Sequence, residues 1–201
     1  MAWRPSELEI HVHLTDGTVT RFTQNETTSI SHILELLSPG KVFTPHQIVL
    51  SDHQSLTMFH TNAIVRIDLI APGIPDWQFH RNVIEINQAD EHAFVEAARS
   101  SASTTKTTPL LAGERFVVYN GILLANGDQL FHKVHLSAEN LLPIDRAMLF
   151  EHMMHQPEVF CRRIGGGGII VNTAHILRYT IYPGMTDLPG SALPAHRISD
   201  P

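Results

Sequence analysis

Cysteine, basic charge and long apolar runs are all scarce in this chain of 201 residues. The one cysteine, Cys161, excludes an intramolecular disulfide framework and fits a reducing compartment. The 14 lysines and arginines face 20 acidic residues, and the net charge of −6 argues against a nucleic-acid partner held by phosphate neutralisation. No run approaches the ~18 apolar residues of a membrane-spanning helix, and the first residues lack the apolar core of a secretory signal. We therefore expect a cytoplasmic protein with no membrane partner.

The signatures of common catalytic sites are also missing from the sequence. There is no G-x-S-x-G segment of a serine hydrolase, and no pair of carboxylates stands out on one predicted element. The run Gly165-Gly166-Gly167-Gly168 lacks the Lys-Ser/Thr ending of a phosphate-binding loop, and no helix is predicted after it. We interpret these glycines as a flexible hairpin turn. The sequence thus favours a protein that is not an enzyme.

What the chain does contain is a repeat with a spacing of about 112 residues. Three residues of the first half recur 112 positions later: Thr61 as Thr173, Ile64 as Ile176 and Arg66 as Arg178. By the same shift Pro45 matches Pro157. Further upstream the shift is 110, which matches the Asp16-Gly17 pair to Asn126-Gly127. Constant spacing within elements and small shifts at loops are typical of a duplicated module, although two β-rich segments can also resemble each other by chance.

Each half has the pattern strand, Asx-Gly turn, strand, helix, strand, tight turn, strand. Asx-Gly between apolar runs indicates a hairpin, because a type I′ turn needs positive φ at both central residues. We predict an α+β fold of two tandem ββαββ modules with antiparallel sheets. The modules span 1–73 and 110–184, joined by a connecting strand, a helix and a Ser/Thr-rich linker in 74–109, and followed by a flexible tail, 185–201.

Apolar periodicity sets the expected elements within this frame. Alternation over 8–14 predicts the first strand, and Ser29 is the expected N-cap of the first helix. Apolar residues over 56–70 and 169–182 predict one long strand in each half. The connecting region is expected to contain a strand within 77–86 and a helix over 88–99, and the helix of the second module is expected over 143–155.

Histidine is unusually frequent, with 14 residues, and two closely spaced pairs are candidate metal ligands. His11 and His13 lie two residues apart on a predicted strand, so both occupy one face, and His152 and His155 lie three apart on a predicted helix. Imidazoles that converge in this way can bind a divalent metal such as zinc. The pairs lack the His-Glu-x-x-His order of a zinc protease. The alternative is that these histidines are surface or partner-facing residues without a metal. For Cys161 we expect a small core residue.

The segment from Ile48 to Ile67, with Leu56-Thr57-Met58-Phe59-His60-Thr61-Asn62-Ala63-Ile64 within it, resembles the last two strands of Sm-like proteins. The run Val12-His13-Leu14-Thr15-Asp16-Gly17 resembles the first strand and turn of that family. The predicted helix between the second and third strands departs from the Sm fold, whose strands follow directly. The run His60 to Ile64 is also similar to uncharacterised bacterial domains of strand-strand-helix-strand-strand order. The Sm resemblance implies an RNA-binding module.

Three functions therefore follow from the sequence as hypotheses. The first is a non-enzymatic interaction or scaffold protein that self-associates or binds a protein partner through exposed sheet edges. The second is a metal-binding protein or metal-dependent enzyme that uses the histidine pairs. The third is the Sm-like RNA-binding module, against which the negative net charge weighs.

Overall fold

A computed structural model describes residues 5–52, 54–73, 75–79, 83–101, 115–137, 155–182 and 193. Within these ranges the chain forms eleven strands and two α-helices, and nearly all strand pairs are antiparallel. The predicted α+β class is confirmed. No helix in the described part of the chain is long and apolar enough to cross a membrane. Most of the predicted linker and tail, and all of the predicted helix over 143–155 except His155, lie outside the described residues.

The first half contains five strands and one helix. They are β1 (Leu8–Leu14), β2 (Val19–Gln24), α1 (Thr27–Leu36), β3 (Gln47–Ser51), β4 (Leu56–His60) and β5 (Ile64–Ile70), with a 3-10 turn, Thr61–Ala63, between β4 and β5. The connecting region supplies β6 (Val83–Ala89) and α2 (Glu91–Ser101). The second half contains β7 (Arg115–Leu124), β8 (Gln129–Ser137), β9 (Glu158–Arg162), β10 (Gly168–Asn172) and β11 (Ile176–Tyr182), with a 3-10 turn, Thr173–His175, before β11.

Nine of the strands form one sheet, in the order β11-β7-β8-β6-β9-β10-β5-β1-β2. The two remaining strands, β3 and β4, form a separate hairpin. The sheet therefore includes strands of both halves, and the joint between them is the antiparallel pair of β10 and β5. The division of the chain into the predicted modules stays a prediction.

Several local connections occur once in each half with the same geometry. The amide of Leu14 donates to the carbonyl of Thr18 at 2.9 Å, and Leu124 donates to Asp128 at 2.9 Å. Each Asx-Gly turn then bonds to the 3-10 turn of its own half, through Thr15 to Ala63 and Ala125 to His175, both at 2.9 Å. The ladders of β1 with β5 and of β7 with β11 each carry a register shift at the equivalent point.

Two apolar clusters make up the core. The cluster of the first half packs buried residues of β1 and β5 against α1 and the β3–β4 hairpin, and it includes Ile10, Ile30, Phe59 and Ile67. The cluster of the second half includes Ile122, Val134 and Cys161, all at most 2% exposed. Ile170 of β10 belongs to the first cluster although it lies in the second half. The two halves are thus packed together as well as paired.

The predicted long strands are wrong, because a 3-10 turn interrupts each of them. The turn Thr61–Ala63 separates β4 from β5, so that β4 pairs with β3 while β5 enters the large sheet. The turn Thr173–His175 separates β10 from β11 in the same way. Neither 3-10 turn contains a proline or a glycine, so the local sequence does not indicate an interruption of the strand. Hydrogen bonds to distant residues form the turn instead: the Thr61 amide donates to the carbonyl of His46 at 3.1 Å.

Three further boundaries differ from the prediction. Helix α1 begins at Thr27 after Glu26, and the expected cap Ser29 instead donates its hydroxyl to the Glu26 carboxylate at 2.7 Å. Helix α2 begins at Glu91, where Asp90 accepts from the amide of Ala93 at 2.8 Å, a bond typical of a cap. The residues before it, Val83–Ala89, form β6. The strand predicted within 77–86 and the helix predicted over 88–99 therefore both begin later in the chain.

The match of Pro45 with Pro157 is also wrong by one residue. The amide of Thr61 bonds to the carbonyl of His46, whereas the equivalent amide of Thr173 bonds to the carbonyl of Pro157 at 3.2 Å. Strand β9 therefore follows β3 by 111 residues, while β10 follows β4 by 112. The turn between β9 and β10, which contains Gly165, Gly166 and Gly167, is one residue longer than the turn between β3 and β4.

The glycine run forms the β9–β10 hairpin turn expected from the sequence, with positive φ at Gly165, Gly166 and Gly167. This turn lies directly against β5. A Cβ atom on Gly167 would lie 1.9 Å from the carbonyl oxygen of Leu69, and one on Gly166 would lie 2.5 Å from that of Ala71. The run therefore provides close backbone approach at the joint between the halves as well as positive φ.

Candidate functional sites

A cluster of charged side chains lies where the β7–β8 turn meets β1 and β5. It consists of His13, Arg66, Asp68 and Asp128. Residues 13, 66 and 68 share one face because β1 and β5 are paired and their side chains alternate. Asp128 follows the Asn126-Gly127 turn of the second half, so the cluster joins the two halves electrostatically.

The central contact of the cluster joins His13 and Asp68. Nε2 of His13 lies 3.1 Å from Oδ2 of Asp68, and each side chain is only 10% exposed. A carboxylate can only accept, so His13 donates through Nε2–H and leaves Nδ1 facing Asp128, whose oxygen is 3.7 Å away. Donation through Nε2 fixes the orientation of the imidazole ring in this state.

Arg66 binds both carboxylates of the cluster. Its Nη1 lies 3.2 Å from Oδ2 of Asp128 and its Nε lies 3.2 Å from Oδ1 of Asp68. Nε of Arg66 and Oδ1 of Asp68 are not aligned for a hydrogen bond, so the contact between these two side chains is mainly electrostatic. The Arg66 side chain is 14% exposed, and removal of one partner from such a nearly buried group leaves a charge without compensation.

His11 lies beside this cluster and completes a possible set of metal ligands. One ligand atom each from His11, His13 and Asp68 all lie within 4.8 Å of one another. Two imidazoles and a carboxylate are a ligand set that suits zinc. The sequence predicted the two histidines, but it did not predict Asp68, which is 55 residues from His13 in the chain.

The same atoms are engaged without a metal. Nε2 of His11 lies 2.6 Å from Oε1 of Glu9, and this bond to His11 is the main cause that lowers the pKa of the Glu9 carboxyl. Nε2 of His13 would have to lose its proton to bind a cation, and the guanidinium of Arg66 beside Asp68 repels a dication. The ligand types fit zinc, and its binding would require the release of His11 from Glu9 and of His13 from Asp68 beside the guanidinium of Arg66.

The structure does not test the other predicted pair, His152 and His155. His152 lies outside the described residues, and His155 lies in the segment just before β9. The structure therefore leaves the prediction of a metal site at His152 and His155 untested.

A second polar group is buried in the core of the second half. The side chain of His132 is fully buried, and its Nδ1 lies 2.9 Å from Oδ1 of Asn120, whose amide donates to the hydroxyl of Tyr179. Burial lowers the pKa of His132 to about 4 and raises that of Tyr179. The imidazole is therefore neutral at physiological pH and acts as a structural donor.

Cys161 is a core residue, as expected from the sequence. It is fully buried in the cluster of the second half, and this burial raises the pKa of its thiol. A thiolate is the reactive form of cysteine, so a buried thiol of raised pKa is inert toward oxidants and alkylating reagents.

Four strands have an unpaired edge among the described residues, namely β2, β3, β4 and β11, and two of these edges bear on the proposals below. Strand β4 pairs only with β3, and β11 pairs only with β7. The exposed face of the β3–β4 hairpin carries three large apolar side chains, Val49, Leu56 and Met58, which are 48%, 64% and 61% exposed. An open strand edge next to exposed apolar residues is a surface to which another strand can add.

Comparisons of the chain with models of protein families, with curated proteins and with solved structures find no match.

Proposed function

We propose that the protein is a non-enzymatic scaffold that associates with itself through its open strand edges. The observation that carries this proposal is the unpaired edge of β4, flanked by Leu56 and Met58. Side chains of this size exposed by more than 60% on an open edge are unusual, because edge strands are ordinarily protected by charge, proline or a covering segment. Association would remove this apolar area from water.

We also propose that the chain is a tandem duplication of one module, which the sequence predicts as ββαββ and which the first half folds as ββαβββ. The repeated turns support it: the Asx-Gly hairpins, the 3-10 turns and the register shifts occur at equivalent positions in both halves. A side-chain bond recurs as well, since the hydroxyl of Thr61 donates to the carbonyl of Pro45 at 3.0 Å and that of Thr173 to Gln156 at 2.5 Å. Neither turn chemistry nor composition alone would reproduce all of these contacts.

The mass of the untagged protein in solution tests self-association. Native mass spectrometry and light scattering should show an oligomer for the natural chain. The double variant Leu56→Asp/Met58→Asp should be monomeric, because it places two carboxylates at the open edge. The control Leu36→Asp changes a residue of α1 that is 56% exposed and should leave the mass unchanged. A natural chain that is monomeric at high micromolar concentration would contradict the proposal.

A metal-binding function is the second candidate, because His11, His13 and Asp68 converge to within 4.8 Å. Isothermal titration of metal-free protein with zinc should then show one site per chain, lost in His11→Ala. The control His92→Ala changes a side chain that is 90% exposed and distant from the cluster in sequence, and it should bind as the natural chain does. Equal titrations of the natural chain and His11→Ala would exclude this site.

The RNA-binding alternative and the cytoplasmic location remain predictions from the sequence. Binding of single-stranded RNA that weakens steeply with salt would support the RNA-binding alternative, since phosphate contacts release counterions. The predicted location rests on cysteine usage and on the lack of spanning and secretory patterns in the sequence.

A further inference from the structure

We infer that β4 of one copy pairs antiparallel with β11 of the next copy, and that this contact between chains reproduces the joint of β10 with β5 within one chain. The inference rests on the proposed self-association and duplication, and it specifies the partner, the edges and the register. It makes the assembly head-to-tail.

The internal joint provides the template. The outer edge of β5, opposite β1, is occupied by β10, and the outer edge of β10, opposite β9, is occupied by β5. By the repeat, β5 corresponds to β11 and β10 corresponds to β4. In the described structure these two counterparts have open outer edges. Each kind of edge is thus paired once within the chain, in β5 and β10, while the corresponding edges of β11 and β4 are left unpaired.

The 3-10 turns fix the correspondence, because Thr61–Ala63 and Thr173–His175 are 112 residues apart and each lies between the two strands concerned. The internal joint pairs Gly168 with Leu69, Ile169 with Asp68, Ile170 with Ile67, and Val171 with Arg66. A shift of 112 gives the expected register between chains: Leu56 with Ile181, Thr57 with Thr180, Met58 with Tyr179, and Phe59 with Arg178.

Burial at the internal joint explains the exposed residues of the open edge. Ile170 is fully buried at the internal joint, whereas its counterpart Met58 is 61% exposed. Gly168 is likewise buried, with the side chains of Trp77 and Pro75 nearest to the position that a Cβ would take, whereas its counterpart Leu56 is 64% exposed. The apolar face of β4 therefore corresponds to a face of β10 that packs into the core of the other half.

The opposing strand has matching chemistry. Tyr179 and Ile181 of β11 correspond to Ile67 and Leu69 of β5, and both pack partly buried on the core of the second half. Leu56 and Met58 would extend this apolar face from one copy into the next. The central pair would be Thr57 with Thr180, and threonines directly opposite on antiparallel strands are a favourable pair.

The two edges are different surfaces, so the contact is heterologous. Each copy offers one β4 edge and one β11 edge, and successive copies add in the same direction until a ring closes or a filament grows. A symmetric dimer that pairs β4 with β4, or β11 with β11, would not reproduce the pairing of β10 with β5 or its register.

Directed disulfide formation tests the edges and the register. Residues directly opposite in an antiparallel pair have Cα atoms about 4.5–5.5 Å apart, within the range that a disulfide spans. We would mix Thr57→Cys with Thr180→Cys under a mild oxidant and detect cross-linked pairs by mass spectrometry. The natural Cys161 does not interfere, since it is fully buried. Leu56→Cys with Ile181→Cys is a second pair in the same register.

The expected result is a mixed disulfide in both matched pairs, and little product when Thr57→Cys or Thr180→Cys is oxidised alone. The mismatched control Thr57→Cys with Val19→Cys places one cysteine on β2, the other terminal strand of the sheet, and should give at least about tenfold less product. An oligomer that forms only homodisulfides, or that links Val19 equally well, would overturn this inference and leave self-association intact. A natural chain without any oligomer would overturn both.

Discussion

The side-chain amide of Asn172 donates a hydrogen bond of 3.0 Å to the backbone carbonyl of Ile64, across the joint between the two halves. The same side-chain amide donates to the carbonyl of Thr61 at 3.2 Å, and the side-chain oxygen Oδ1 of Asn172 accepts from the backbone amide of Ala174. Asn172 is 6% exposed. One side chain at the end of β10 thus bonds to the start of β5, to the 3-10 turn of the first half and to the 3-10 turn of the second.

The variant Asn172→Ala should lower the free energy of unfolding by about 1–3 kcal/mol, because it removes the side-chain donor to the buried carbonyl of Ile64. Urea denaturation followed by circular dichroism would measure the loss. His60 is the counterpart of Asn172 by the repeat and is exposed, so His60→Ala should change stability by less than about 0.5 kcal/mol in the monomer. Equal effects of the two substitutions would contradict this role of Asn172.

Arg66 and Arg178 are counterparts in the proposed repeat, but their surroundings differ. Arg66 is nearly buried between Asp68 and Asp128, whereas Arg178 is exposed. We expect Arg66→Met to destabilise the fold by about 3 kcal/mol, because it leaves the Asp68 carboxylate poorly compensated. Arg178→Met, the matched control, should cost less than about 0.5 kcal/mol. Thermal and urea unfolding of both variants provides the comparison.

If the double substitution Arg66→Met/Asp68→Leu restores most of the stability lost in Arg66→Met, the loss arises from the unpaired carboxylate. If it restores none, packing of the Arg66 side chain is the main contribution, and the ion-pair explanation is wrong.

His132 should make the stability depend on pH. Its pKa falls from 6.5 to about 4 in the folded protein, because burial disfavours the charged imidazole. Below pH 6.5 the unfolded chain binds a proton that the folded chain does not, so stability is full above that pH and is lost as the pH falls toward 4. The loss from this residue reaches about 3 kcal/mol.

The variant His132→Gln keeps an amide donor for Asn120 and cannot titrate. Its free energy of unfolding should therefore vary less between pH 6.5 and 4 than that of the natural chain, by up to about 1.4 kcal/mol per pH unit. The exposed His92, changed to Gln, should leave the natural slope in place. Urea titrations at several pH values would decide, and an unchanged slope in His132→Gln would assign the pH dependence to other groups.

Gly167 and Gly127 both have positive φ, at 82° and 89°, but only Gly167 lies against another strand. The substitution Gly127→Ala should cost only the backbone strain, about 1–2 kcal/mol. Gly167→Ala should cost clearly more, because its Cβ would overlap the Leu69 carbonyl and separate β10 from β5. Chemical denaturation, with proteolysis as a second probe, tests the order, and equal losses would show that the joint tolerates this displacement.

The sequence predicts the hairpins well because their signals are local. Two-residue alternation identifies β1 with the bounds found in the structure, Leu8–Leu14, and Asp16-Gly17 and Asn126-Gly127 form the expected turns. Helix starts are less well predicted, since Glu26 and Asp90 compete with neighbouring polar residues as the cap.

Long-range relationships are beyond such local signals. The alternation of β1 predicts that His11 and His13 share a face, but nothing near them in the sequence indicates Asp68 or Asp128. The 3-10 break after His60 is missed because hydrogen bonds to residues 45 and 46 create it. The joint of β10 with β5 depends on the packing of two distant segments, and the glycine run that permits it looks like an ordinary turn.

The joint also sets an order of events during synthesis. Leu69 pairs with Gly168, which follows it by 99 residues. At the usual rates of translation, the edge of β5 remains without its neighbour for roughly 5–20 s after it is made. Contacts between segments so far apart also form slowly in the finished chain. The nascent first half must therefore keep an apolar edge open during this interval, which makes the speed of the ribosome a variable in the folding yield of this protein.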